Sequence, residues 1–138
     1  MYAPTQFRDR SETEQALLGG VLPALIGGLA GFLIGASAVG YWVVAVLAAV
    51  GALVGGFEHG DGWEAADRGF FGGLIYGVSL LLVHELIHTK AKVSLGSFPP
   101  FVAVITTVVG MLLSAAGGRV ASTKRRRTTP APGPEPQA

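Results

Sequence analysis

Residues 69–88 read GFFGGLIYGVSLLLVHELIH, and this stretch decides the fold. It is apolar for nearly its whole length, and a helix needs roughly 20 mostly apolar residues, rising about 1.5 Å each, to cross a bilayer. Arg68 stands just before it, and Lys90 and Lys92 just after. At about 100° per residue, Gly69, Gly73 and Gly77 form one narrow stripe. Tyr76, His84 and His88 project within the same sector. Glycine stripes in membrane helices mark close helix–helix contact, so the two histidines are expected to face protein and not lipid. Ionisable side chains at membrane depth usually do.

Composition agrees with a membrane chain. Of 138 residues, 50% are hydrophobic and 14% charged, with 21 glycines. A soluble domain carries about 25% charge. The apolar residues fall in blocks and do not alternate. The expected fold is therefore all-α: one polytopic transmembrane bundle of four helices, tightly packed through glycine and alanine. The chain has no cysteine, which excludes a disulfide framework and a thiolate metal site.

Working outward, residues 1–15 form a polar segment, expected on the cytoplasmic side. Ser11 followed by Glu14 reads as a capping box, which starts a helix near Glu12. The transmembrane domain covers residues 16–121. Its first span is 16–35, interrupted by Pro23, with Gly27, Gly31 and Gly35 in small-xxx-small spacing. Ala36-Ser37-Ala38 resembles a signal-peptidase site, but the acids before the apolar block and the second span after it favour a retained helix. The second span is 40–57, with Tyr41 and Trp42 as interfacial aromatics. The uncharged connection between them makes a hairpin.

In the polar connection EHGDGWEAADR, residues 58–68, Glu58, His59 and Asp61 read as a solvated turn, with a metal site as the alternative. Asp61 and Glu64 there resemble a helix N-cap with a reciprocal acid. The third span is 69–88. After a short polar loop, Pro99 and Pro100 open the fourth span, 99–118, where proline is tolerated in a first turn. Thr106, Gly110, Ser114 and Gly118 recur there at four-residue spacing. Residues 122–138 read as a tail that is first basic and then Pro-rich and disordered. Its cations Lys124, Arg125, Arg126 and Arg127 are expected to lie at the membrane surface. So short a basic run beside a span does not point to nucleic acid. The positive-inside rule sets Arg8, Arg10, Arg68, Arg119 and residues 124–127 against Lys90 and Lys92. It therefore favours four spans of a plasma-membrane protein with both termini cytoplasmic.

One motif carries chemistry. His84-Glu85-Leu86-Ile87-His88 fits H-E-x-x-H, which on a helix puts two imidazoles one turn apart as zinc ligands, with the glutamate as general base. HELIH resembles the zinc helix of membrane metallopeptidases, which implies His84 and His88 as metal ligands and Glu85 as the catalytic base. Two departures oppose this. The only Asp-Gly, Asp61-Gly62, precedes the motif, and Glu58, His59, Asp61, Glu64 and Asp67 are expected at the opposite membrane face. A catalytic zinc takes three protein ligands, and the chain supplies two at that end. The bland reading is a polar, hydrogen-bonded helix end. Separately, residues 51–77 are similar to small glycine-rich, four-span prokaryotic membrane proteins of uncharacterised function. That resemblance implies a fold and no activity.

The sequence thus points first to a small integral membrane protein with a structural or interaction role. No cofactor is expected on that reading, zinc being the one candidate. The partners are the lipid bilayer and, through the small-residue rows, a second copy of the chain in a homo-oligomer. An intramembrane zinc peptidase is the first alternative. A small oligomeric transport protein is the next, although no span carries the polar row that a conduction path needs.

Overall fold

The computed structural model describes residues 6–128. Four helices dominate it: α1 (Glu12–Ala36), α2 (Ala38–Gly56), α3 (Gly62–Ile87) and α4 (Phe101–Thr128), each long and apolar enough to cross a membrane. The chain is a multi-pass, all-α membrane protein. Around the bundle the order is α1, α2, α4, α3. Helix α3 packs most extensively, against α4 on one side and α1 on the other, while α2 rests against α4 and α1. The large apolar side chains that point outward, such as Leu25, Val46 and Phe71, are those a bilayer would cover.

Local chemistry sets each boundary. The Ser11 hydroxyl accepts from Glu14 N–H while the Glu14 carboxylate accepts from Ser11 N–H, so the capping box is formed and α1 starts at Glu12. Ser37 ends α1 and starts α2 with a single extended residue (φ −156°, ψ 114°). Its N–H bonds Leu33 O and its hydroxyl accepts from Gly40 N–H at 3.1 Å. Asp61 accepts from both Trp63 and Glu64 N–H at 2.8 Å. Helix α3 therefore begins at Gly62, a full two turns before the apolar block of residues 69–88.

The fourth helix departs from expectation. It does not stop near Gly118 but continues as regular helix to Thr128, carrying the basic run with it. No proline or glycine interrupts residues 119–128, and cations suit a helix C-terminus, where the backbone dipole is negative. Of residues 128–138, expected to be disordered, Thr128 is the last residue of this helix and the rest lie outside the described residues.

The interior is built by backbone approach more than by large side chains. Among the described residues, only Ile34 and Leu80 are large and fully buried. In the α3–α4 seam, a Cβ added at Gly73 would fall on the Thr106 carbonyl, and one at Gly69 on the Gly110 carbonyl. A Cβ at Gly77 would strike the Thr106 hydroxyl and stand 2.7 Å from Ala103 Cα. In the α1–α3 seam, Gly27 meets the Tyr76 carbonyl, Gly31 the Leu80 carbonyl and Gly35 the Thr89 side chain. Helix α3 thus presents bare backbone to two neighbours from two faces. In lipid, where apolar burial drives little association, van der Waals contact of this kind holds helices together. The threonine and serine hydroxyls Thr106, Thr107 and Ser114 are spent on carbonyls, of Gly73 (3.0 Å), Ala103 (2.6 Å) and Ala52 (3.0 Å), whereas among the described residues the buried Tyr76 hydroxyl has no hydrogen-bond partner.

Candidate functional site

Polar chemistry is concentrated at the two ends of α3. At its C-terminal end lies HELIH. His84 is buried at 9% exposure, and among the described residues its Nδ1 has no hydrogen-bond partner. Glu85 is exposed. The helix ends at Ile87, and His88 follows as its cap in the left-handed region (φ 52°), exposed, with Nδ1–H donating to Leu86 O at 3.0 Å. The reading that both histidines share the helix's inward face holds for His84 alone. The physical reason is termination: a capping residue with positive φ swings its side chain out of the helical register. Among the described residues, no group of three or more His, Asp or Glu side chains is placed to hold a metal ion.

The adjoining loop is fastened to α1 by Lys92. Its N–H bonds Ile34 O and its Nζ bonds Ala36 O, both at 2.8 Å. These are carbonyls of the last turn of α1, which the helix itself leaves unpaired. Lys92 is therefore a helix cap as well as a flanking charge.

The other end of α3 is more built than the sequence suggested. Of the three residues expected in a solvated turn, Asp61 is exposed, but Glu58 is half-buried and His59 buried. The N-terminal segment folds back over the 58–68 connection: Arg10 Nη2 donates to Glu58 Oε1 at 2.8 Å, and Arg8 pairs with Glu64. Gln15 Nε2 donates to Arg10 O at 2.9 Å and holds that segment in place. His59 is 7% exposed, with Nδ1–H donating to Gly55 O at 3.1 Å. Burial pushes its imidazole below the ordinary histidine range. The Gly55 bond works against this, Arg68 adds to the depression, and Glu64 and Glu58 oppose it.

Arg68 lies about 9 Å along α3 from Gly62, at about 1.5 Å per residue. Its Nη2 donates to Leu18 O at 3.4 Å. The reason lies in α1. Residues Leu17–Val21 are a π-helical turn, in which Leu22 N–H bonds Leu17 O five residues back. In that widened register the next donor, for Leu18 O, would be residue 23, which is proline and has no N–H. Pro23 leaves a carbonyl stranded inside the bundle, and the Arg68 guanidinium answers it. π turns often mark functional places. Here the local cause is visible: a proline set into a spanning helix.

The remaining candidate residues sit as follows. Gly27, Gly31 and Gly35 line the α1–α3 seam, and Gly69, Gly73, Gly77 and Gly110 the α3–α4 seam. Ser114 abuts α2, where a Cβ at Gly56 would fall on its carbonyl. Lys124, Arg125, Arg126 and Arg127 lie on the last two turns of α4. Sequence reasoning missed the Arg10–Glu58 pair and the Leu18–Arg68 bond. The first joins residues 48 apart, and no local pattern announces it. The second had a signal: a proline inside one apolar block and an arginine at the opening of another.

Comparisons with protein-family models, with curated proteins and with solved structures find no significant match. The class is therefore defined by the fold alone: a small, multi-pass α-helical membrane protein.

Proposed function

We propose that the chain is a structural or interaction component of the plasma membrane, with four spans and both termini cytoplasmic. One observation carries the reading. Between the two polar ends the bundle is closed: glycine meets carbonyl along two seams, and the interior Thr and Ser hydroxyls are already committed to backbone. Such an interior leaves neither a charged path for transport nor an aqueous chamber for hydrolysis. The orientation rests on cation counting. Arg8, Arg10 and Arg68 gather at one end together with Arg119 and the basic turns of α4, against Lys90 and Lys92 at the other. Reporter fusions after Gly56 and after Thr128 should read cytoplasmic, and one at Val93 should read external. A cytoplasmic signal at Val93 would overturn the orientation.

Zinc peptidase chemistry is the second reading, favoured by the unpartnered Nδ1 of buried His84. It needs His88 to rejoin the helix and a third ligand from elsewhere. The discriminating variant is His88→Gly. Glycine suits a φ of 52°, so a mere cap should keep its thermal stability, or gain slightly. A zinc ligand would instead lose about one metal per chain in elemental analysis of the detergent-purified protein. Stoichiometric zinc in the wild type, lost in His88→Gly and in His84→Ala, would replace the structural reading with the enzymatic one.

A further inference from the structure

We propose that the α3–α4 groove at the Arg119 end of the bundle is a binding site for one anionic phospholipid, with an acyl chain in the groove and the phosphate on Arg119. The groove has a volume of about 340 Å³. Trp63 and Ala66 line it from α3, and Met111, Leu112 and Ala115 from α4, so its inner part is apolar. Arg119 lines it from the next turn of α4. The arginine stem crosses Gly62, where an added Cβ would lie 2.7 Å from Arg119 Cγ. A bare glycine at the first position of α3 thus lets the guanidinium rest over the groove entrance.

A second hollow, of about 370 Å³, begins at the same arginine and runs outward along α4 past Thr123, Lys124 and Arg127. These two hollows share Arg119 as their common wall. An apolar trough pointing toward the bilayer centre therefore joins, through one cation, a basic ledge pointing into the headgroup layer. A phospholipid has the same order of parts: hydrocarbon, then phosphate, then solvent-facing headgroup.

Charge complementarity selects an anionic lipid. Among the described residues, Arg119, Lys124 and Arg127 have no carboxylate within ion-pair distance. Asp61 also lines the groove, its Oδ1 turned to the N-terminus of α3, where it accepts from Trp63 and Glu64 N–H. The helical continuation of α4 matters here, because it holds Lys124 and Arg127, five and eight residues on, against the same hollow as Arg119, where a flexible tail would not. Trp63, 80% exposed, is an interfacial aromatic at the lipid's glycerol level.

Trp63 also supplies the probe. The chain has two tryptophans, and Trp42→Phe leaves Trp63 alone. This variant would be reconstituted in phosphatidylcholine vesicles with a minor fraction of lipid brominated on its acyl chains, either phosphatidylglycerol or phosphatidylcholine, in both leaflets. Insertion direction then does not affect the result, and failure of the proposed orientation leaves the test intact. Brominated phosphatidylglycerol should quench Trp63 with an apparent affinity about fivefold above that of brominated phosphatidylcholine, the preference one surface cation provides. Arg119→Gln should bring the two lipids to parity. Ala115→Phe, which fills the trough, should weaken quenching by both. Equal quenching in the arginine-containing protein would overturn the proposal. So would a preference that survives Arg119→Gln and disappears only in Lys124→Gln/Arg127→Gln, since that pattern describes diffuse attraction to the basic turns and not a site.

Discussion

Helices α2 and α3 are both glycine-rich and both long enough to span, yet they hold opposite places in the bundle. α3 buries Ala65, Ala66, Gly69, Gly77, Leu80 and His84, whereas α2 fully buries Gly56 alone. The difference lies in what stands opposite each glycine. Gly69, Gly73 and Gly77 meet backbone or hydroxyl of α4, but nothing lies within 4 Å of a Cβ at Gly51. Composition is therefore not the determinant of burial in a membrane. A glycine acts as a contact only when a partner's carbonyl fills the space it leaves, and α2 does this only at its last turns.

The sharpest way to break the comparison is to put the same side chain on both helices. Gly73→Leu should cost about 3 kcal/mol or more, because overpacking here meets a carbonyl and not a yielding side chain. The readout is the unfolding midpoint in detergent, with loss of a compact monomer in size-exclusion chromatography. Unchanged behaviour would mean that the α3–α4 seam is not closed. Gly117→Leu, on α4, tests the one closed part of α2 from its partner's side, since its Cβ would fall on Leu53 O. It should destabilise by about 1–3 kcal/mol, less than Gly73→Leu, as α2 has less contact to lose.

Ser114→Ala removes the 3.0 Å bond to Ala52 O. Bonds of this kind in membrane bundles are worth about 0.6 kcal/mol, a small shift that a denaturant titration resolves. The turn joining α2 to α3 sharpens the comparison through pH. His59 titrates lower in the fold than its ordinary value of about 6.5. Its contribution is therefore present above that value and is lost as pH falls through it. Melting midpoints measured from pH 8 to pH 5 should decline below about 6.5, and His59→Gln should flatten that decline. Gly51→Leu closes the series at the small end, within about 0.5 kcal/mol of wild type. A large loss there would expose a helix partner for α2, such as a second copy of the chain.

These contrasts also mark what the sequence could and could not convey. Four spans, the Ser11–Glu14 box and the Asp61 cap are local patterns, and each is legible from neighbouring letters. Period analysis put Gly69, Gly73, Gly77 and His84 on one inward sector for the same reason. It failed at His88, because the helix stops one residue before it and a cap conformation overrides the period. For α4 the change from apolar to basic residues marks the end of the apolar surface, and the helix runs past it to Thr128. The Arg10–Glu58 pair was out of reach, since ion pairs between distant segments follow from the bundle and do not precede it. As for the candidate sites, HELIH was conspicuous as letters, while the Arg119 groove exists only where two helices meet.

The bond from Arg68 to the Leu18 carbonyl has a consequence for how this chain can change over time. Pro23 and Arg68 form a conditional pair: while the proline stands, the stranded carbonyl needs its donor, and replacing Arg68 meets a penalty. Once Pro23 has given way to an ordinary residue, the amide returns and that demand on Arg68 lapses. The two substitutions are thus open in one order and obstructed in the other. Lines of descent that have lost the arginine should already have lost the proline, whereas those that have lost the proline should be found both with and without the arginine.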